Sequence, residues 1–102
     1  MPQYDVYQYD KPGSRVAWLV DVQSDLLNAL QTRVVIPLYP IECGQKLIRG
    51  LNPTVELANG VFFLSIAEMA AVHIRELRHP MGSLHHMRDE IIAAVDLLFT
   101  GI

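Results

Sequence analysis

The sequence predicts a mainly β domain, a small antiparallel barrel or sheet with one helix packed against it. Short segments with the apolar pattern of strands fill the first two thirds of the chain. Apolar residues at helical spacing follow near the C-terminal end. The 102 residues are enough for one domain, which we expect to extend over residues 1–102.

Three early segments have the pattern of strands. Residues 4–9 mix aromatic and polar side chains, as an exposed strand does. From Val16 to Val22 apolar residues alternate with others, which predicts a strand with one strongly apolar face. Residues 33–38 are rich in β-branched side chains and predict a buried strand. We expect it to end near Pro37, because proline cannot donate a ladder hydrogen bond.

The strongest local signal is a hairpin. Residues 54–58 and 61–66 have strand character and flank Asn59 and Gly60. Asparagine followed by glycine readily adopts the two positive φ angles of a type I′ turn. These residues therefore predict two antiparallel neighbours joined by a tight turn.

Three other segments are less regular. Residues 24–32 are predicted to form a loop that carries adjacent leucines, Leu26 and Leu27. Prolines and glycines in residues 39–53 predict a loop with one helical turn around residues 45–49. Residues 67–78 fit a helix or a strand equally well.

The C-terminal segment is predicted to be a helix that Ser83 can cap. Its apolar residues recur at intervals of three and four, which places them on one face. They are Leu84, Met87, Ile91, Ala94, Val95 and Leu98.

The composition indicates a protein that associates with itself. Hydrophobic residues make up 51% of the chain, and the mean hydropathy is +0.22. A chain this short cannot bury so much apolar surface easily, and a homodimer would cover part of it. The formal net charge of −3 argues against a direct, sequence-independent grip on nucleic acid.

The sequence indicates a cytoplasmic location. A single cysteine, Cys43, cannot form an internal disulfide, which fits a reducing compartment. Residues 1–10 have no basic segment typical of a signal peptide. No apolar run approaches the roughly 18 residues that a membrane span requires.

One cluster of side chains could support catalysis. Imidazole can transfer protons and guanidinium can stabilise phosphorane-like charge, as a metal-free ribonuclease requires. A solvated, mildly basic surface explains the same residues without catalysis. No metal-binding motif and no phosphate-binding glycine loop is present, so we expect no cofactor and no metal. The cluster contains His73, His79, His85, His86, Arg75, Arg78 and Arg88.

Three stretches carry a resemblance to a known family. They are VDVQSD at residues 20–25, RVVIPL at residues 33–38 and LFTGI at residues 98–102. In order, spacing and total length the chain resembles the CcdB family of toxins, over essentially its whole length.

The resemblance implies a fold and a function. The fold is an SH3-like antiparallel β-barrel with a long C-terminal α-helix, assembled as a homodimer. The expected target is the A subunit of DNA gyrase, on which such toxins trap the enzyme with cleaved DNA and catalyse nothing themselves. A cognate CcdA-like antitoxin neutralises the toxin and links it to operator DNA only indirectly.

The resemblance also implies which residues contact gyrase. They lie in the loop after VDVQSD, on the last helical turn and at the chain end: Leu26, Leu27, Asp96, Phe99, Thr100, Gly101 and Ile102. The best-studied member has tryptophan where this chain has Thr100 and asparagine where it has Asp96. Thr100 could weaken binding, since a threonine cannot stack as an aromatic ring does.

Two alternative functions remain open. The same fold hosts mRNA-cleaving toxins, so the histidine and arginine cluster is compatible with an endoribonuclease. Thr100 is compatible with a relic that has lost activity and only binds the antitoxin.

The first testable prediction is the homodimer. Apolar content and the resemblance both lead us to expect a sedimentation mass of twice 11.5 kDa at micromolar concentration. A single species at the monomer mass in that experiment would contradict it.

Overall fold

The computed structural model of the chain describes residues 2–43, 46–58 and 60–101. Within these residues the strands are β1 Asp5–Gln8, β2 Trp18–Asp21, β3 Thr32–Pro40, β4 Thr54–Leu57, β5 Gly60–Leu64, β6 Ala70–His73 and β7 Pro80–Ser83. One α-helix, α1, extends over Arg88–Thr100. Short 3-10 turns occur at Asp25–Leu27, Ile41–Cys43, Ile66–Glu68, Ile74–Glu76 and His85–Met87.

The strands form one curled antiparallel sheet, a half-barrel, with the order β4-β5-β3-β2-β1-β7. Strand β3 is the longest and organises the sheet. On one side it pairs with β2, and on the other it pairs first with β6 and then with β5. The predicted mainly β fold with a C-terminal helix is confirmed.

Strand β3 does not end near Pro37, contrary to the prediction. Its pairing with β6 covers residues 32–35, and its pairing with β5 covers residues 38–40. Pro37 therefore lies at the change of partner, where its carbonyl accepts a hydrogen bond from the amide of Ser65. Because the missing N–H faces the gap between two partner strands, the proline interrupts no ladder.

Both faces of the sheet are covered, which the alternation in the sequence did not reveal. The helix packs on one face, where the main core contains Val6, Val20, Ile36, Leu38, Leu64, Leu84, Ile91 and Ala94. A smaller cluster lies on the other face and contains Tyr7, Leu19, Val35 and Leu77. The prediction that residues 4–9 form an exposed strand is wrong, because β1 lies between β2 and β7 with a cluster on each side.

The hairpin of β4 and β5 is confirmed, but its turn lies one residue earlier than predicted. Leu57 pairs with Gly60, so the two connecting residues are Ala58 and Asn59. Ala58 has a φ of +51°. Asn59 lies outside the described residues.

The less regular segments resolve into short turns and one strand. The 3-10 turn of the 39–53 loop occurs at Ile41–Cys43, earlier than predicted. The described residues of the predicted turn at 45–49 form no helix, and Gln45 lies outside the described residues. Residues 67–78 contain β6 between two 3-10 turns, and no pattern in the sequence indicated β7.

The C-terminal helix begins five residues after the predicted cap. The predicted cap by Ser83 is wrong, because the N-cap of α1 is Met87 and a 3-10 turn with Leu84 at its own N-cap precedes the helix. The hydroxyl of Ser83 instead accepts a hydrogen bond from the main-chain amide of His85 at the start of that turn. Asp89 and Glu90 in the first turn of α1 suit the positive end of the helix dipole. No helix of the described residues is long and apolar enough to span a membrane.

A buried ion pair joins β2 to β3. The Nε of Arg33 donates to Oδ2 of Asp21 at 2.7 Å, and both side chains are almost fully buried. The other carboxylate oxygen of Asp21 accepts a hydrogen bond from the main-chain amide of Gln23 at 3.0 Å. Burial raises the pKa of Asp21 above its ordinary value, and the hydrogen bond and charge of Arg33 oppose that rise.

The second testable prediction is that Asp21→Ala destabilises the fold severely. The substitution leaves the guanidinium of Arg33 buried without a counter-charge, which costs about 3–5 kcal/mol of unfolding free energy. Urea unfolding measures this loss. Asp89→Ala is the matched control, because Asp89 is 98% exposed in its pair with Arg88 and should barely shift the midpoint. Equal midpoints for both variants would contradict the role assigned to the buried pair.

Candidate partner-binding surface

The predicted contact residues lie in two places on the fold. Leu26 and Leu27 belong to the turn between β2 and β3. Asp96, Phe99 and Thr100 lie on the last turns of α1, and Gly101 follows the helix. Ile102 lies outside the described residues. All of the described members of this set are exposed.

The turn between β2 and β3 presents leucines to solvent. Its 3-10 segment starts after Ser24, whose hydroxyl accepts from the amide of Leu26 at 3.1 Å. The side chain of Leu26 is 94% exposed, and Leu27 is about half exposed. Leu30, three residues after Leu27, is also about half exposed. Sequence reasoning missed Leu30, although a third leucine in a short loop was a visible signal.

The end of α1 presents a second apolar group. Ile92, Asp96 and Phe99 are four and three residues apart, so they share one face of the helix. Phe99 is 71% exposed and Ile92 about two fifths exposed. Packing in the core therefore does not explain Phe99, just as it does not explain Leu26.

The hydroxyl of Thr100 is already occupied. It donates to the main-chain carbonyl of Asp96 at 2.6 Å, a bond from one helical turn to the next. The hydroxyl hydrogen of Thr100 therefore serves the helix end, whereas its oxygen can still accept a hydrogen bond.

Gly101 ends the helix. It has a φ of +73°, and its amide donates to the carbonyl of Leu97 at 3.0 Å. This left-handed conformation favours glycine, since a side chain there is strained. A Cβ at Gly101 would meet no atom within 4 Å. The left-handed backbone conformation therefore restricts which residues fit at position 101, whereas contact with neighbouring atoms does not.

A cavity of about 210 Å³ lies beside α1. Asp96 lines it on the helix side, and Gln3 and Val22 line it on the other. The amide of Gln3 donates to the carboxylate of Asp25 at 2.8 Å, and its side chain donates to the carbonyl of Val22. Asp96 is the predicted contact residue that lines the cavity, whereas Leu26, Leu27, Phe99, Thr100 and Gly101 do not line it.

A comparison with known protein families identifies the chain. The profile of the CcdB protein matches residues 3–101. The chain belongs to the CcdB family. CcdB is the toxin of a type II toxin–antitoxin module, which confirms the resemblance noted in the sequence. The match includes both groups of exposed side chains.

Two of the three motifs that carry the resemblance to CcdB, VDVQSD and RVVIPL, are largely buried in this chain. Asp21, Gln23 and Arg33, from VDVQSD and RVVIPL, are at most 9% exposed. They bond to one another and to the turn that carries the leucines. These buried motif residues therefore contact the turn from the side of the sheet, and the exposed leucines lie next to them.

The histidines of this CcdB-family chain lie on several elements, with His85 and His86 adjacent in one 3-10 turn. His73 ends β6, where its Nδ1 accepts a hydrogen bond from the amide of Arg75 at 3.2 Å. His79 lies before β7, and His85 packs edge-on against the ring of Tyr4. Within residues 2–43, 46–58 and 60–101, no group of three or more His, Cys, Asp or Glu could hold a metal ion. Two of these histidines have local structural contacts that require no catalytic role.

Proposed function

We propose that this chain binds the A subunit of DNA gyrase and traps the enzyme on cleaved DNA, without catalysing a reaction of its own. A CcdA-like antitoxin neutralises it and carries it to operator DNA. The contact residues proposed are Leu26, Leu27, Asp96, Phe99, Thr100, Gly101 and Ile102. Membership of the CcdB family supports the toxin role, and the gyrase target is the finer part of the proposal.

The exposure of Leu26 and Phe99 is the observation that carries this proposal. Large apolar side chains that are 94% and 71% exposed contribute little to the core. Such residues are typical anchors of protein interfaces, where a few buried apolar side chains supply most of the binding energy. Both lie at positions that the family resemblance assigns to target contact.

We propose that the exposed helix end meets a target with two-fold symmetry. In a homodimer each protomer contributes one tail, so both tails can enter a cavity between the two A subunits of gyrase. Gly101, in its left-handed conformation, turns the chain at the end of α1. Thr100 offers less contact area than tryptophan, so Phe99 and the leucine turn carry more of the apolar contact.

The proposed antitoxin contact overlaps this surface. An antitoxin segment that folds as it binds can cover a large apolar area. The cavity beside α1 is lined mainly by apolar side chains, including Met69, Ile91 and Val95, and borders Asp96. A segment seated there would lie against the helix that bears Phe99.

The third testable prediction concerns the tail. Deleting Gly101 and Ile102 should abolish growth arrest, because the terminal apolar contact and the turn that precedes it are both lost. The fold should persist, since no core strand includes these residues. Toxicity is measured by expression in a gyrase-sensitive strain and in an otherwise identical strain with resistant gyrase.

Two further variants control this experiment. Ile102→Ser keeps the glycine that ends the helix and removes only the apolar contact, so it should also lose toxicity. Thr100→Trp should keep or raise toxicity. Gyrase-dependent arrest by the deletion variant would show that the tail is not the active surface. Arrest in both strains, with cleaved RNA, would favour the ribonuclease alternative.

The fourth testable prediction is competition. A saturating peptide from the disordered end of the cognate antitoxin should prevent the dimer from binding the immobilised gyrase target, because both use the surface around α1. Surface plasmon resonance measures the bound fraction. A scrambled peptide of the same composition is the control. Unchanged gyrase binding at saturation would refute the overlap.

A further inference from the structure

The turn that carries Leu26, Leu27 and Leu30 has no apolar core of its own. All residues from Asp25 to Leu30 are exposed. Three main-chain hydrogen bonds within the turn, such as the one from the amide of Leu27 to the carbonyl of Ser24, give it local shape. Its position relative to the sheet must come from polar contacts beneath it.

The guanidinium of Arg33 supplies most of these contacts. Nε bonds Asp21 in β2, Nη2 donates to the carbonyl of Gln23 at 2.9 Å, and Nη1 donates to Oδ1 of Asn28 at 2.7 Å. Nη2 also lies 3.7 Å from a carboxylate oxygen of Asp25. The donors of a guanidinium have a fixed planar arrangement. One buried side chain therefore fixes the relative positions of β2, the start of the turn and the middle of the turn.

The side chain of Gln23 completes the support. Its amide nitrogen donates to the carbonyl of Thr32 at 3.1 Å and to that of Leu27 at 3.4 Å. Its amide oxygen accepts from the amide of Val34 at 3.0 Å. One amide group thus connects the turn to the first residues of β3.

We propose that Asn28 and Arg33 are positioning residues, which hold the Leu26–Leu27 surface in the conformation that the partner binds. The inference rests on the proposed function, since it assumes that the leucines contact gyrase. A turn already fixed in the bound shape loses less conformational entropy on binding. Asn28 is the informative residue because it is itself exposed and contacts Arg33 from within the turn.

The fifth testable prediction compares Asn28→Ala with Asn28→Asp. The alanine variant removes the oxygen that accepts from Arg33, and affinity for the purified gyrase target should fall about tenfold. The aspartate variant keeps an acceptor oxygen and should bind almost as the native dimer does. Hydrogen exchange of the amides of residues 25–30 should become faster in the alanine variant only.

Two controls separate positioning from stability and from the proposed function. Asn52 lies in another loop, where its side chain bonds to the main chain of Ile48 and to that of Leu64 in β5. Asn52→Ala should therefore lower stability, but it should leave the affinity of the fully folded protein for gyrase unchanged. Leu26→Asp tests the contact surface itself and should abolish binding.

Each outcome decides the matter. If Leu26→Asp abolishes binding while Asn28→Ala binds and exchanges as the native protein does, the positioning role is wrong and the proposed function stands. If Asn52→Ala weakens binding as much as Asn28→Ala, the effect is one of general stability and the inference fails. If Leu26→Asp also binds normally, the leucine turn is not the contact surface, and both the site assignment and the inference fall.

Discussion

The buried pair of Arg33 and Asp21 is the interaction on which the rest of the structure depends. It joins the two central strands, β2 and β3, and extends through the guanidinium into the turn that connects them. Burying two charges is expensive, and it is tolerated where their hydrogen bonds are satisfied. Here no described buried side-chain polar atom lacks a partner. The same hydrogen bonds that offset the cost of burial also define the geometry of an exposed turn.

The fold places its core residues and its exposed apolar side chains in different regions. Apolar side chains on both faces of the sheet, together with one face of α1, form the two cores. The other face of the helix end and the tip of the leucine turn remain exposed. We therefore expect substitutions of the exposed side chains to affect folding less than substitutions of the buried motif residues.

Predictions from local sequence patterns were wrong where contacts with other elements of the fold decided the structure. Pro37 does not end β3, because β3 exchanges β6 for β5 at that residue. Ser83 does not cap α1, because a 3-10 turn at His85–Met87 lies between Ser83 and the helix. Residues 4–9 look like an exposed strand in the sequence, but Val6 belongs to the main core on one face of β1 and Tyr7 to the smaller cluster on the other. In each case the deciding neighbour is distant in the sequence or absent from the local pattern.

The sequence by itself determined the mainly β fold with its terminal helix and the hairpin of β4 and β5, because alternation and helical spacing are local patterns. It also determined the family, because the motifs VDVQSD, RVVIPL and LFTGI can be recognised without the structure. It also named the exposed residues of the candidate site, by resemblance. Only the tertiary structure decided that Leu26 and Phe99 are exposed and not packed in a core, since an apolar residue type is compatible with both. It also decided that Arg33 bonds to Asn28, because this contact exists only once two strands and a turn are assembled.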